Sequence, residues 1–200
     1  MSDSRTARTD PAGIDGLSPG ARSELEALGL DATGIRMTRG VEGLDPVPER
    51  PLIPKRAISA PSVLNEAFDY SKPSSFTRGM RVELPGATML FLSGTASVDE
   101  NGRTVHAGDF EAQCLRTFRN LTGLLAAEGA SWHDLVRTTC YIRDIERDYD
   151  AFNEVRTRFM NAVGLDPLPA STGIQARLCR SDLLVEIEAI ALVPQRPAAK

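Results

Sequence analysis

Met80-Arg-Val-Glu-Leu84 alternates apolar and polar positions with a period of two, and Thr88-Met-Leu-Phe-Leu92 follows across the turn pair Pro85-Gly86. The two segments predict a β-hairpin. Ser97-Val98 and Arg103-Thr-Val105, with Asp99-Glu-Asn-Gly102 between them, predict another extended stretch with a turn. From Asp109 the period changes. Phe110, Cys114, Phe118, Leu121, Leu124 and Leu125 fall at steps of three and four, one stripe of a helix that Asp109 caps and Gly129 stops. Leu135–Ile142 is β-branched and alternating, a strand. Asp148 is the expected cap of a second helix with Phe152, Val155 and Phe159 on one face. Residues 170–178 predict a strand entered through Pro167-Leu-Pro169, and residues 183–192 form the strongest strand pattern in the chain.

Two helices thus interleave with mostly antiparallel strands. This order predicts an α+β sandwich, one mainly antiparallel sheet with both helices on one face. Apolar side chains also recur on the opposite strand face, so self-association is expected.

Residues 1–55 read differently. They hold Pro11, Pro19 and the run Pro46, Pro48, Pro51, Pro54, and one short helical pattern, Ala21–Leu28, with Ser18 as N-cap and Gly29 as stop. The expected organisation is a proline-rich N-terminal arm, 1–55, followed by a folded domain, 56–200. The 200 residues carry a net charge of -4 and a pI of about 5.3. Acidity argues against a broad nucleic-acid surface, and no run approaches the roughly 18 apolar residues of a membrane span. Cys114, Cys140 and Cys179 match neither a zinc knuckle nor a redox pair, and no apolar leader follows the N-terminus. Free thiols in a cytoplasmic protein are the expectation.

Glu186 and Glu188 interrupt an apolar strand and, two apart, share one face. A carboxyl held against a protein interface, with a raised pKa, suits proton transfer. Arg78, Arg177 and Arg180 are candidate grips for a carboxylate, and Arg177 and Arg180 flank Cys179. Thr172-Gly173 offers backbone amides to an anion. His106 and His133 share no metal-ligand spacing, so no metal site is expected. Walker, dinucleotide, nucleophile-elbow and zincin motifs are absent.

From about 74 to 194 the chain resembles the Rid (YjgF-like, L-PSP) family of enamine/imine deaminases. The resemblance rests on Leu90-Phe-Leu-Ser-Gly-Thr95, Gly108–Gln113, Asn120-Leu121, Leu124–Ala130, Asp134–Thr139, Asp150-Ala-Phe-Asn-Glu154, Pro169-Ala170, Ala176-Arg-Leu178 and Val185-Glu-Ile-Glu-Ala-Ile-Ala191, in order. It implies a chorismate-mutase-like fold, a homotrimer with three clefts between subunits, and hydrolysis of a small anionic imine or enamine without metal or cofactor. It also implies roles. Glu186 matches the glutamate that positions the hydrolytic water, Ser93 and Gly94 line the cleft, and Asn153 is a polar cleft residue. Thr172 stands where many members have Cys or Thr, and Phe76 where tyrosine is frequent.

One departure stands out. The family's arginine clamp lies in a Pro-Ala-Arg-Ser segment, but here Pro169-Ala170 runs directly into Ser171. Arg78, on one strand face with Phe76, is the first expected substitute and Arg177 the second. Leu178-Cys-Arg-Ser-Asp-Leu-Leu-Val-Glu-Ile-Glu188 is also similar to the end of the chorismatases. The leading expectation is therefore a hydrolase or deaminase-like enzyme acting on an imine, enamine or enol-ether carboxylate through Glu186. A chorismatase-like lyase and a non-catalytic ligand- or partner-binding protein are the alternatives.

Overall fold

A computed structural model describes residues 18–30, 52–70 and 73–195. They belong to two units, divided between Leu52 and Ile53. In the first, α1 (Pro19–Ala27) begins as its sequence requires. Ser18 Oγ accepts from the Ala21 N–H at 3.2 Å, and Pro19 occupies a first-turn position where its missing N–H costs nothing. The expected proline run at 46–51 lies outside the described residues.

The second unit contains one six-stranded sheet. Its strands are β1 (Lys55–Ala57), β2 (Gly79–Leu84), β3 (Ala87–Ala96), β4 (Leu135–Ile142), β5 (Ala170–Gln175) and β6 (Val185–Pro194), arranged β1-β2-β3-β6-β4-β5. Only β4 and β5 run parallel. The expected hairpin is β2–β3, paired from Gly79↔Leu92 to Leu84↔Ala87, and Gly86 supplies the positive φ of its turn. The helices are α2 (Phe110–Ala127), capped by Asp109, and α3 (Ile145–Ala162).

Several boundaries differ from the sequence reading. Asp144, not Asp148, caps α3 by accepting from the Arg147 N–H at 3.2 Å. Asp148 lies in the first turn, buried and paired to Arg147 at 2.6 Å. An acidic residue is favoured at either place by the helix dipole, so composition did not separate them. The stretch around 97–105 forms only the single bridge Val98↔Thr104. β5 ends at Gln175, and β6 starts at Val185. The three-residue β1 is too short to leave a periodic signal.

Alternation along β6 divides the sheet into two faces. Val185, Ile187, Ala189 and Ala191 are buried beneath the helices with Leu90, Leu92, Cys140 and Ile142. The stripe of α2 supplies Cys114, Phe118, Leu121, Leu124 and Leu125, and Phe118, Trp132 and Phe159 interlock with ring centroids 4.8–5.6 Å apart. Neither α2 nor α3 covers the other face. Phe91 and Leu192 remain 40 % and 41 % exposed there, in the same rows as Met89 and Ile190.

Candidate functional site

Glu186 and Glu188 project from the uncovered face. On β4, Tyr141 stands opposite Glu186 and Thr139 opposite Glu188. On the β3 side the ladder breaks between Leu92 and Thr95, leaving Ser93 and Gly94 in a bulge next to the glutamates. The bulge makes room for a side chain from the neighbouring strand. At Gly94 a Cβ would overlap the Glu186 carboxyl, lying 3.0 Å from its Cδ. Burial raises the Glu186 pKa above the usual carboxylate range, the Glu188 charge adds to the rise, and Arg180 opposes it. The Tyr141 phenol is likewise pushed up, by burial first and then by the charges of Glu188 and Glu186.

Arg78 enters from the start of β2. Its neighbour Gly79 packs under Ile58 and Leu92 on the helix side, so Arg78 points to the uncovered side. Its guanidinium donates from Nε and Nη2 to the Asn65 carbonyl at 2.9 and 2.6 Å, and from Nη2 to the Tyr70 phenol. It lies over the Tyr70 ring at 4.9 Å and the Phe76 ring at 5.6 Å. Phe76 and Arg78 both precede β2, so they do not share a strand face as expected but meet through this stack. Ser93 fixes the same corner. Its N–H donates to the Arg78 carbonyl at 3.1 Å and its hydroxyl to the Thr77 carbonyl at 2.7 Å.

Arg180 arrives from the loop before β6. Its guanidinium donates to the Gly102 carbonyl and lies 5.9 Å from the centroid of the same Tyr70 ring. The loop is pinned from within. Buried Gln113 donates to the carbonyls of Asp182 at 2.8 Å and His106 at 3.1 Å, and accepts from the Leu184 N–H at 2.8 Å. Arg143 donates to the Leu183 carbonyl at 2.5 Å and to the Arg180 carbonyl. One chain therefore gathers Arg78, Phe76, Ser93, Gly94 and Glu186 of the expected residues.

It does not gather the others. Thr172 is on the uncovered face of β5, with β4 between it and β6. It accepts from Arg137 Nη2 at 3.2 Å. Asn153 is on α3, on the helix side of the sheet, where it accepts from Arg156 at 2.6 Å. Arg156 continues to Ser171 Oγ at 3.1 Å. Arg177 and Cys179 are exposed beyond the end of β5, and no hydrogen bond or ion pair ties either to Glu186.

Three participants were not singled out from the sequence. Tyr70 lies in the lead-in before the first periodic strand, where a single aromatic carries no spacing signal. Tyr141 looked like one more apolar position of β4 until the register set it against Glu186. Arg137 shares the uncovered face with Thr172, which only the pairing of β4 with β5 reveals. Among the described residues, no three His, Cys, Asp or Glu side chains cluster as a metal site requires.

The fold and this cluster define a class, the single-sheet α+β sandwich with its acidic residues on the face opposite α2 and α3. The chain belongs to the Endoribonuclease L-PSP family, the Rid or YjgF-like proteins, whose profile matches residues 62–193. The 3-aminoacrylate deaminase RutC of Acinetobacter baylyi is 30% identical over 105 residues, 52% of this chain and 79% of that protein. Reactive Intermediate Deaminase A, chloroplastic, of Arabidopsis thaliana is 26% identical over 176 residues, covering 88% and 91%. Among solved structures, TdcF of E. coli with bound serine matches at a TM-score of 0.57 and 26% identity, covering 70% of this chain and 99% of that one. No helix among the described residues is long and apolar enough to cross a membrane.

Proposed function

We propose that the chain hydrolyses a small imine or enamine carboxylate, with Glu186 as the proton-transfer residue and Arg78 as the grip on the substrate anion. The observation that carries this reading is the Glu186 carboxyl. It is partly desolvated, raised in pKa and seated in the Gly94 bulge within reach of the Arg180 charge. A carboxyl whose pKa is raised by burial is better suited to donate as well as to accept a proton. In its neutral form it protonates an enamine carbon or an imine nitrogen. As carboxylate it takes a proton from water while the water oxygen bonds to the imine carbon. Transfer of that proton to nitrogen releases ammonia, the hydroxyl proton returns to the Glu186 carboxylate, and the 2-oxo acid is left, so one water is consumed for each ammonia formed.

The active assembly is proposed to be a homotrimer closed through the uncovered sheet face. Exposed Phe91 and Leu192 on that face support this. So does the division of the expected residues into two groups: Glu186, Arg78, Phe76, Ser93 and Gly94 in one, Asn153 and Thr172 in the other. A cleft between copies would join the first group of one chain to the second group of its neighbour. RutC of A. baylyi and the Arabidopsis protein are named as deaminases, which favours this chemistry over cleavage of nucleic acid by an acidic chain.

The test is Glu186→Gln, assayed by release of 2-oxo acid from 2-iminobutanoate generated in situ. Loss of turnover with an unchanged oligomeric state is expected. Full turnover in the variant refutes the assignment.

A further inference from the structure

Two cations meet at one aromatic ring, and among the described residues neither forms an ion pair. Arg78 is 6 % exposed. Among the described residues it forms no ion pair, and its bonds go to a carbonyl and a phenol. Arg180, half-buried, likewise has no carboxylate within ion-pair distance among the described residues. Asp182 is close by but takes the Thr104 hydroxyl at 3.1 Å. At the middle of β2, Arg81 is treated differently, bonded to Glu83 at 2.6 Å and to Glu128 at 3.2 Å. Buried charges are normally paired, so an unpaired couple in one place needs an account.

Both guanidinium groups keep donors in hand. Nη1 of Arg78, and Nε and Nη2 of Arg180, have no partner among the described residues, while the remaining N–H groups tie each side chain to the backbone. Arg78 is held through Asn65 and Tyr70, Arg180 through Gly102. Tyr70 is the spacer. It lies against Gly102, where any Cβ would strike its ring, and the two guanidinium carbons are 4.9 and 5.9 Å from its centroid. Their separation is bounded by those distances, a span that a short dicarboxylate can bridge. The side chains are set in advance, so little ordering is needed on binding.

We propose that the cleft selects a substrate with two anionic groups, one held by Arg78 and the other by Arg180, with Tyr70 keeping the two grips apart. The proposal rests on the reading of the Glu186 cluster as the substrate site and narrows that reading to a dianionic imine or enamine. Tyr70 acts as a positioning residue.

The experiment measures binding of two product-like probes to the full-length protein by titration calorimetry, 2-oxoglutarate and its singly charged counterpart 2-oxopentanoate. The wild type is expected to bind 2-oxoglutarate at least tenfold more tightly. Arg180→Gln keeps a donor for the Gly102 carbonyl but removes the charge. It should erase the preference while leaving 2-oxopentanoate affinity within twofold. Tyr70→Phe removes the phenol from Arg78 and should weaken both probes together. Equal binding of the two probes by the wild type, with both lost in Arg78→Ala, overturns the two-anion proposal and leaves the substrate site standing. Binding of neither probe overturns both. An unchanged preference in Arg180→Gln overturns the role of Arg180.

Discussion

Gly94→Ala separates the position of the Glu186 carboxyl from the stability of the fold. Gly94 does not adopt a left-handed φ, so the backbone accepts alanine. The new methyl would overlap the Glu186 carboxyl and stand 3.0 Å from Cδ and 3.3 Å from Cγ. All three atoms belong to the far part of a flexible side chain, so the carboxyl swings away rather than the strand. Loss of glycine from the unfolded ensemble stabilises by about 0.4–1 kcal/mol, which offsets the cost of a new rotamer. Net stability should change by less than about 1 kcal/mol, or roughly 2–4 °C in Tm for a chain of this length.

Activity should respond differently. Misplacing a proton-transfer group by about an ångström costs on the order of a hundredfold, equivalent to about 2.7 kcal/mol of transition-state stabilisation. The assays are thermal unfolding and 2-oxo acid release from in situ 2-iminobutanoate. Gly79→Ala provides the opposite phenotype. Its Cβ would meet the Phe91 carbonyl at 2.6 Å and Ile58 Cδ1 at 2.9 Å, contacts that backbone and core cannot relieve. That variant should lose several degrees of Tm. If Gly94→Ala retains kcat/KM within threefold at unchanged Tm, the carboxyl does not need its seat in the bulge, and the reasoning fails.

Two further outcomes follow from the titratable groups. Glu186 has a raised pKa in the folded chain, so between its unfolded and folded values the native state binds more protons, and stability falls as pH rises through that window. Glu186→Gln should match the wild type below the window and exceed it above. Urea unfolding across pH checks this, and a stability difference that stays flat with pH would refute it. Buried Cys114 has its thiol pushed up to about 12, with burial the main cause, and Cys140 is raised by burial too, whereas Cys179 is exposed. Iodoacetamide at pH 8 should modify Cys179 alone in the native protein and all three in urea, as read by mass spectrometry; native labelling of Cys114 would contradict the packing.

The helix side of the molecule was legible because it is written in periodicity. The stripe from Phe110 to Leu125 and the alternation of β6 each require one partner surface, and the structure supplies it. The helix start at Asp144 was not legible, because Asp144 and Asp148 are chemically equal and only packing chooses between them. Within the site, the pairing of Glu186 with Glu188 on one face was readable from a spacing of two. The approach of Tyr141 and the Ser93–Gly94 bulge depend on register between strands far apart in sequence. No local pattern encodes such a register. Tyr70 and Arg180 come from irregular segments, and their meeting depends on Gly102 admitting the ring.

The pairing of β5 after Pro169-Ala170 bears on the proposed grip by Arg78. β5 pairs regularly with β4 from Arg137↔Ala170 to Ile142↔Gln175, with no irregularity. Its helix-facing residues are held by specific bonds. Ser171 meets Thr138 at 3.0 Å and Arg156 at 3.1 Å, and Gln175 accepts from the Ile145 N–H at 3.1 Å. A one-residue slip would exchange those inward groups for Thr172 and Ile174. The inward bonds therefore fix the phase of β5 and leave Ala170, Thr172 and Ile174 on the uncovered face, none of them charged. Of the β4 and β5 residues on that face, the charged one is Arg137, which is already engaged with Thr172. On the β2 side, Asn65, Tyr70 and Gly102 hold the guanidinium groups of Arg78 and Arg180 through bonds that do not involve β5. The proposed anion site at Arg78 and Arg180 is therefore independent of the β5 register.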